Sequence, residues 1–117
     1  MTNHKNLIVW QKSMELVTAI YVATKTFPKE ELFGIVLQMR RSAVSIPSNI
    51  AEGYGRVYDK ETVKFLSVAL GSASELETQL IISKDLDYIA IQEAQQLTKL
   101  TEEVIRMLAA LIKSHSN

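Results

Sequence analysis

The stretch from Gln38 to Gly53 constrains the fold most, because it combines the apolar spacing of a helix with an internal proline. Its apolar residues recur at alternating spacings of three and four, which indicates one core-facing seam. Pro47 cannot donate a backbone hydrogen bond and crowds the carbonyl of Ala43, which costs about 3 kcal/mol in a helix interior. We therefore expect a bent helix. The seam consists of Val36, Met39, Ala43, Ile46 and Ile50.

Three further segments have helical periodicity, with one apolar and one polar face each. At 117 residues the chain has the length of one domain, which we assign to residues 1–117. Helices joined by short connections favour an all-α fold, namely an antiparallel up-down four-helix bundle. The predicted helices are Leu7 to Phe27, Ile35 to Glu52, Asp59 to Asp85 and Ile91 to Lys113.

Residues at the helix ends carry their own predictions. Gly53 is free to adopt the left-handed conformation that ends many helices, and Asp59 is a good N-cap for the third helix. A phosphate loop at Gly53-Tyr54-Gly55-Arg56 lacks the usual Lys-Ser/Thr ending, so a cap and a loop are the favoured interpretation. The last residues, Ser114 to Asn117, are expected to fray.

The charge balance argues against a diffuse basic field, because thirteen basic and thirteen acidic residues give a formal charge of +0. The distribution is uneven. Up to Arg56 there are seven basic and four acidic residues, and the remainder has six and nine. We expect the two halves to pair with each other, and the alternative is a local binding patch.

Several function classes lack the residues they need. The chain has no cysteine, and its two histidines, His4 and His115, lie at the two ends. We therefore expect no metal, no cofactor, no small-molecule substrate and no catalytic serine, and the protein is predicted not to be an enzyme. No segment has the roughly 18 consecutive apolar residues of a membrane span. A cytoplasmic protein without a membrane partner is expected.

Two charged residues fall on apolar arcs. Arg40 lies within the apolar face of the second helix, whereas Arg41 lies on its polar side, and Glu77 interrupts the apolar face of the third helix. A buried charge is costly unless it is paired. We therefore predict that Arg40 and Glu77 form an ion pair, or that each meets a charge from a neighbouring subunit. The alternative is that Arg40 extends its head group to solvent.

The third helix also carries a stripe of small residues, which we call the small-residue stripe. Its spacings of four, three and four keep it on one face of the helix. Small side chains let another backbone approach closely, so we predict a helix–helix contact, within the chain or between subunits. The stripe consists of Ser67, Gly71, Ser74 and Thr78.

A set of short motifs occurs together along nearly the whole chain. They are Val9-Trp10-Gln11-Lys12, Phe27-Pro28, Glu31, Phe33-Gly34, Gln38 to Ala43, Ser45-Ile46-Pro47, Asn49 to Gly53, Ala69 to Ser72 and Glu75 to Thr78. In this combination the sequence resembles the bacterial four-helix bundle family named after proteins encoded in 23S rRNA intervening sequences. One departure is Asp87, which stands where the family tends to have a glycine, and aspartate tolerates a left-handed backbone.

The resemblance implies a four-helix bundle that assembles into a ring-like homopentamer and has no catalytic residues. It also implies a relationship to the accessory protein of diversity-generating retroelements, whose pentamer looks suited to binding RNA or DNA and a reverse transcriptase. We therefore predict a homo-oligomeric scaffold with nucleic acid as the leading partner. The alternative is an oligomer that binds only protein or is purely structural. The predicted phosphate contacts are Arg41, Arg56, Lys60 and Lys64.

Overall fold

Four long helices make up most of the computed structural model, which describes residues 3–116. Two short 3-10 turns, His4–Asn6 and Lys29–Glu31, precede the first and second long helices. No strand occurs within residues 3–116. The long helices are α1 (Ile8–Thr24), α2 (Ile35–Tyr54), α3 (Asp59–Asp85) and α4 (Ile91–Ser116).

Each helix packs against two neighbours, which gives the order α1, α2, α3, α4 around the bundle and places α1 diagonally across from α3. The predicted four-helix bundle is thereby confirmed, with extents of 44 × 24 × 20 Å. Apolar residues from all four helices meet at its centre, where each large side chain contributes about 1.5–3 kcal/mol. The large side chains with no exposure are Leu16, Ile20, Met39, Ile46, Ile50, Leu66, Leu76, Leu80, Val104 and Leu108.

The close packing of α2 on α3 depends on Gly53, which is buried inside the last turn of α2. A Cβ atom there would lie 3.1 Å from the Thr62 carbonyl oxygen and 3.1 Å from the Phe65 Cβ. No glycine within residues 3–116 has a positive φ. The prediction that Gly53 ends α2 in a left-handed conformation is therefore wrong, because close approach of α3 is what requires the missing side chain.

Two turns at the opposite end of the bundle close the connections between helices. α1 ends at Thr24, three residues before the predicted end, and the buried Phe27 packs instead against Tyr88, with ring centroids 5.5 Å apart. Asp87 has a φ of 60°, which confirms the expected left-handed backbone in the turn between α3 and α4. The Tyr88 hydroxyl donates to Glu31 Oε2 at 2.8 Å. This bond joins the two turns.

Candidate functional site

Arg40 binds groups of α1. Its Nε donates to Thr24 Oγ1 at 3.0 Å and its Nη2 donates to the Tyr21 carbonyl at 3.4 Å. The guanidinium carbon lies 4.6 Å from the centroid of the Tyr21 ring, within cation–π distance. Thr24 is itself buried and donates to the Ile20 carbonyl at 2.7 Å. The head group of Arg40 is therefore held in one place without a carboxylate.

The predicted ion pair between Arg40 and Glu77 within one chain is wrong, since no carboxylate of residues 3–116 forms a salt bridge with Arg40. The physical reason is the order of the helices. Arg40 faces α1, which lies diagonally across from the α3 helix that carries Glu77. Whether a charge from a second subunit meets either residue stays a prediction.

A groove follows the surface between α1 and α2 and contains Arg40 at its middle. Two adjoining concavities of about 440 Å³ and about 430 Å³ share Arg40 in their walls. Lys25, Lys29 and Arg41 also line them, and no lining residue within residues 3–116 is acidic. We call these two concavities the basic groove. Of the four cations in this groove, the sequence predicted only Arg41 as a phosphate contact, because the approach of Lys25 and Lys29 to α2 depends on the turn after α1.

The other predicted phosphate contacts lie at the junction of α2 and α3. Arg56 forms a 3.4 Å ion pair with Glu52, and its guanidinium carbon lies 4.8 Å from the centroid of the Phe65 ring. Lys60 and Lys64 are exposed and form no ion pair within residues 3–116. Arg41 is separated from this junction, because it lies about 20 Å along α2 from the end of that helix at a rise of about 1.5 Å per residue.

Within residues 3–116, ion pairs do not generally join the two halves of the chain as predicted. Lys12 of α1 binds Glu103 of α4 at 2.8 Å, and this is the one Lys or Arg of the first half that pairs with an acid of the second half. The contact raises the pKa of Lys12 and, through the hydrogen bond from Lys12, lowers the pKa of Glu103. The excess positive charge of the first half is consequently left at the surface.

The small-residue stripe is exposed along its whole length in the single chain. A Cβ atom added at Gly71 would have no neighbour within 4 Å. The stripe therefore makes no helix–helix contact inside the described chain, which corrects that part of the prediction. Contact between subunits stays a prediction. The four residues Ser67, Gly71, Ser74 and Thr78 share this outer face of α3 with Val68, Ile81 and Ile82.

A polar seam joins α2 to α3 beside this face. Ser42 Oγ donates to Glu75 Oε1 at 2.8 Å, and Gln79 Nε2 donates to the same oxygen at 3.2 Å. Farther along, Ser72 Oγ donates to Ser45 Oγ at 2.8 Å. Gln79 Oε1 is buried without a hydrogen-bond partner within the part of the chain that the structure describes. The seam holds Glu75 close to α2.

The end of α4 is tied to the α2–α3 junction. Tyr54 Oη and His115 Nε2 are 2.8 Å apart, and His115 Nδ1 lies 2.9 Å from Asp59 Oδ1. Burial, together with the charge of Asp59, raises the pKa of Tyr54. Helix α4 thus continues to Ser116, so the predicted fraying of Ser114 to Asn117 is wrong through residue 116, and Asn117 lies outside the described residues. Asp59 binds His115 and makes no cap for α3.

Residues 3–116 contain no group of three or more His, Cys, Asp or Glu side chains that could hold a metal ion. None of the helices in this part of the chain is both long enough and apolar enough to cross a membrane. The surface features described above are the cations of the basic groove and of the α2–α3 junction, and the small and apolar residues on the outer face of α3. The fold and these surfaces define a helical bundle protein with candidate interaction faces.

Comparison with known proteins gives the family. The chain belongs to the family of 23S rRNA-intervening sequence proteins, whose family model matches residues 5–110. A crystal structure from Bacteroides thetaiotaomicron, described as a protein with unknown function from the S23 ribosomal protein family, is similar with a TM-score of 0.84 and 24% identity. The match covers 96% of this chain and 99% of that chain, and it supports the fold. No curated protein matches.

Proposed function

We propose that the protein is a non-enzymatic, homo-oligomeric helical scaffold that binds nucleic acid. We infer the oligomer from the composition of the outer face of α3. Its exposed residues from Ser67 to Ile82 include one charged side chain, Glu75, which already accepts hydrogen bonds from Ser42 and Gln79. Subunit interfaces are depleted of charge at their centres, and homodimer interfaces are more apolar than the rest of the surface. This face therefore suits contact with a second copy.

The exposed face of α4 offers a contrast within the same molecule. It carries Lys99, Glu102, Arg106 and Lys113, the mixed charge that an amphipathic helix usually presents to water. We accordingly place the subunit contact on α3 and leave α4 facing solvent. Five subunits is the number that the family resemblance implies.

Light scattering after size-exclusion chromatography tests the oligomer. Ser74→Arg introduces a long charged side chain at the middle of the proposed contact, and we expect it to reduce the mass to that of one chain. Gln96→Arg makes the same kind of change on the exposed face of α4 and should leave the mass unchanged. A wild-type protein that is monomeric at micromolar concentration would contradict the proposal.

Unpaired surface cations support the nucleic-acid part of the proposal. Arg41, Lys60 and Lys64 are exposed and form no ion pair within residues 3–116, so their charges are available to phosphates. Binding through phosphates falls steeply with salt, because counterions are released from the nucleic acid. The test is to purify the protein from its host, identify co-purifying RNA or DNA, and measure the salt dependence of rebinding.

An oligomer that binds only protein, or is purely structural, has one observation in its favour. The acids Glu52, Asp59 and Glu61 are interspersed with Arg56, Lys60 and Lys64 at the α2–α3 junction, so the charge there is compensated. Recovery of protein partners without RNA or DNA, together with no binding of oligonucleotides at low salt, would favour this alternative over the nucleic-acid proposal.

A further inference from the structure

We propose that the basic groove between α1 and α2 binds the phosphate backbone of a single-stranded nucleic acid. This inference rests on the proposed function and assigns its binding site. The sequence favoured phosphate contacts divided between Arg41 and the α2–α3 junction. The structure instead gathers Lys25, Lys29 and Arg40 with Arg41 along one groove.

The first argument is uncompensated charge. None of the four cations forms an ion pair within residues 3–116, and no acidic residue lines the two concavities they share. Like charges along a concave surface repel one another and attract anions. The α2–α3 junction differs, because Arg56 is bound to Glu52 and further acids lie beside the lysines.

The two acidic residues that follow Lys29 in the sequence, Glu30 and Glu31, do not line the basic groove. Glu31 accepts a hydrogen bond from Tyr88, on the side of the α3–α4 turn. Glu30 is exposed in the 3-10 turn after Pro28 and does not line either concavity. Neither carboxylate forms an ion pair with Lys25 or Lys29, so the ammonium groups of both lysines are open to an added anion.

The second argument is the fixed position of Arg40. A guanidinium has five N–H donors, and only two of those of Arg40 are used, by Thr24 and by the Tyr21 carbonyl. The other three have no partner within residues 3–116. Since the Tyr21 ring covers one face of the guanidinium, its orientation is set before any ligand arrives. An oriented arginine fork with free donors is suited to a phosphate group.

The third argument favours a single strand over a duplex. A third concavity of about 360 Å³ continues the basic groove toward the start of α1 and shares Val44 with it. Its lining includes Trp10, Met14 and Pro47, and none of its lining residues within residues 3–116 is Asp, Glu, Lys or Arg. A single strand exposes its bases to such apolar and aromatic surfaces while cations hold its phosphates. A duplex keeps its bases stacked inside.

Fluorescence anisotropy with the full chain and labelled oligouridylate and oligothymidylate tests the site. The groove variant is Lys25→Gln/Lys29→Gln/Arg41→Gln, which leaves Arg40 and its contacts in place. The matched control, Arg56→Gln/Lys60→Gln/Lys64→Gln, removes the same charge from the α2–α3 junction. Circular dichroism checks that both variants fold, and light scattering checks their assembly.

We expect the groove variant to bind about tenfold or more weakly. The negative slope of log affinity against log salt should become less steep by about 2, because three phosphate contacts are lost. The control, which removes junction cations that are also available to phosphates, should weaken binding by a smaller factor than the groove variant does. Arg40→Lys, which keeps the charge but loses the fork, should also weaken binding. Tighter binding of oligouridylate than oligothymidylate would identify RNA as the strand, and equal binding would identify the shared phosphate backbone; either supports the site.

Three outcomes overturn the inference. Loss of binding in the junction variant alone would move the site there and leave the proposed function standing. Equal loss in both variants would show a general charge effect without a groove site. If the groove variant changes the oligomer mass but not oligonucleotide affinity, the groove is a subunit contact. A wild-type protein that binds neither oligonucleotide at low salt would instead reject the nucleic-acid function itself.

Discussion

The guanidinium of Arg40 lies over the ring of Tyr21, with 4.6 Å between the guanidinium carbon and the ring centroid. The contact joins α2 to α1 across the basic groove and explains how a charge on an apolar arc is accommodated. Tyr21 is 40% exposed, and one face of its ring lies against the guanidinium of Arg40. A cation–π contact and two hydrogen bonds take the place of the predicted carboxylate.

Arg40→Lys is expected to lower the free energy of unfolding by about 1 kcal/mol, because a lysine cannot reproduce the bonds to Thr24 and the Tyr21 carbonyl in the same geometry. Urea unfolding followed by circular dichroism measures the change. Arg41→Lys is the matched control, one residue farther along α2 and exposed, and its effect should stay within about 0.5 kcal/mol. Equal effects at the two positions would contradict the structural role of Arg40.

Two glycines give opposite predictions for the same substitution. Gly53→Ala is expected to destabilise by about 1–3 kcal/mol, because the new methyl group meets the Thr62 carbonyl and the Phe65 Cβ at 3.1 Å. Gly71→Ala meets nothing within 4 Å in the single chain and replaces a poor helix former, so it should stabilise by about 0.5–1 kcal/mol. Thermal unfolding of both variants at equal concentration provides the measurement.

The Gly71 result also separates stability from assembly. If a second copy packs closely on the small-residue stripe, Gly71→Ala should stabilise the fold of a dissociated chain while weakening self-association. A concentration series by light scattering distinguishes these effects. A destabilised Gly71→Ala monomer would contradict the open surroundings that the structure gives this residue.

The cluster of Tyr54, His115 and Asp59 predicts that the last turn of α4 is ordered. His115→Ala removes the contacts to both partners, and we expect a stability loss of about 1 kcal/mol and faster amide exchange in the final turn. Hydrogen exchange followed by mass spectrometry measures the latter. Lys113→Ala, an exposed neighbour on the same turn, is the control and should leave exchange unchanged. Fast exchange in the wild-type turn would refute the ordered end.

The fold was predictable from the sequence because helix formation and burial depend on local spacing. The apolar seam from Val36 to Ile50 identifies the inner face of α2, and all five of its residues are buried. The third helix ends at the predicted residue, Asp85, and starts within one residue of the prediction, because Asp59 is its first residue rather than its N-cap. These features follow from periodicity and from breaks between periodic segments.

The surfaces were less predictable, because they depend on which helices become neighbours. Periodicity shows that Arg40 and Glu77 both lie on apolar faces. It does not show that α1 packs between α2 and α4, diagonally across from α3. The sequence predicts that His115 lies in a fraying terminus. Its two partners are 56 and 61 residues away in the chain, so no local pattern reveals these contacts. Lys25 and Lys29 join the basic groove only through the turn that follows α1. These contacts depend on how the helices pack against one another, and the periodicity of a single sequence does not determine that packing.

The hydrogen bond between Tyr88 and Glu31 predicts the behaviour of the fold in alkaline solution. This bond raises the pKa of Tyr88 above its usual value of 10.0, with burial and the charges of Glu31 and Glu30 adding to the shift. A phenol whose pKa is higher in the folded state stabilises the fold fully below the unfolded-state pKa. That stabilisation is lost as the pH rises through the folded-state pKa.

Tyr88→Phe should therefore be less stable than the wild type at neutral pH, and the difference should shrink as the pH rises above about 10. Urea unfolding over this range measures it. Glu31→Gln removes the charged acceptor and should shift the tyrosinate absorbance of Tyr88, isolated by subtracting the Tyr88→Phe titration, to lower pH. If the stability difference stays constant through the alkaline range, the bond does not link the two turns as the structure indicates.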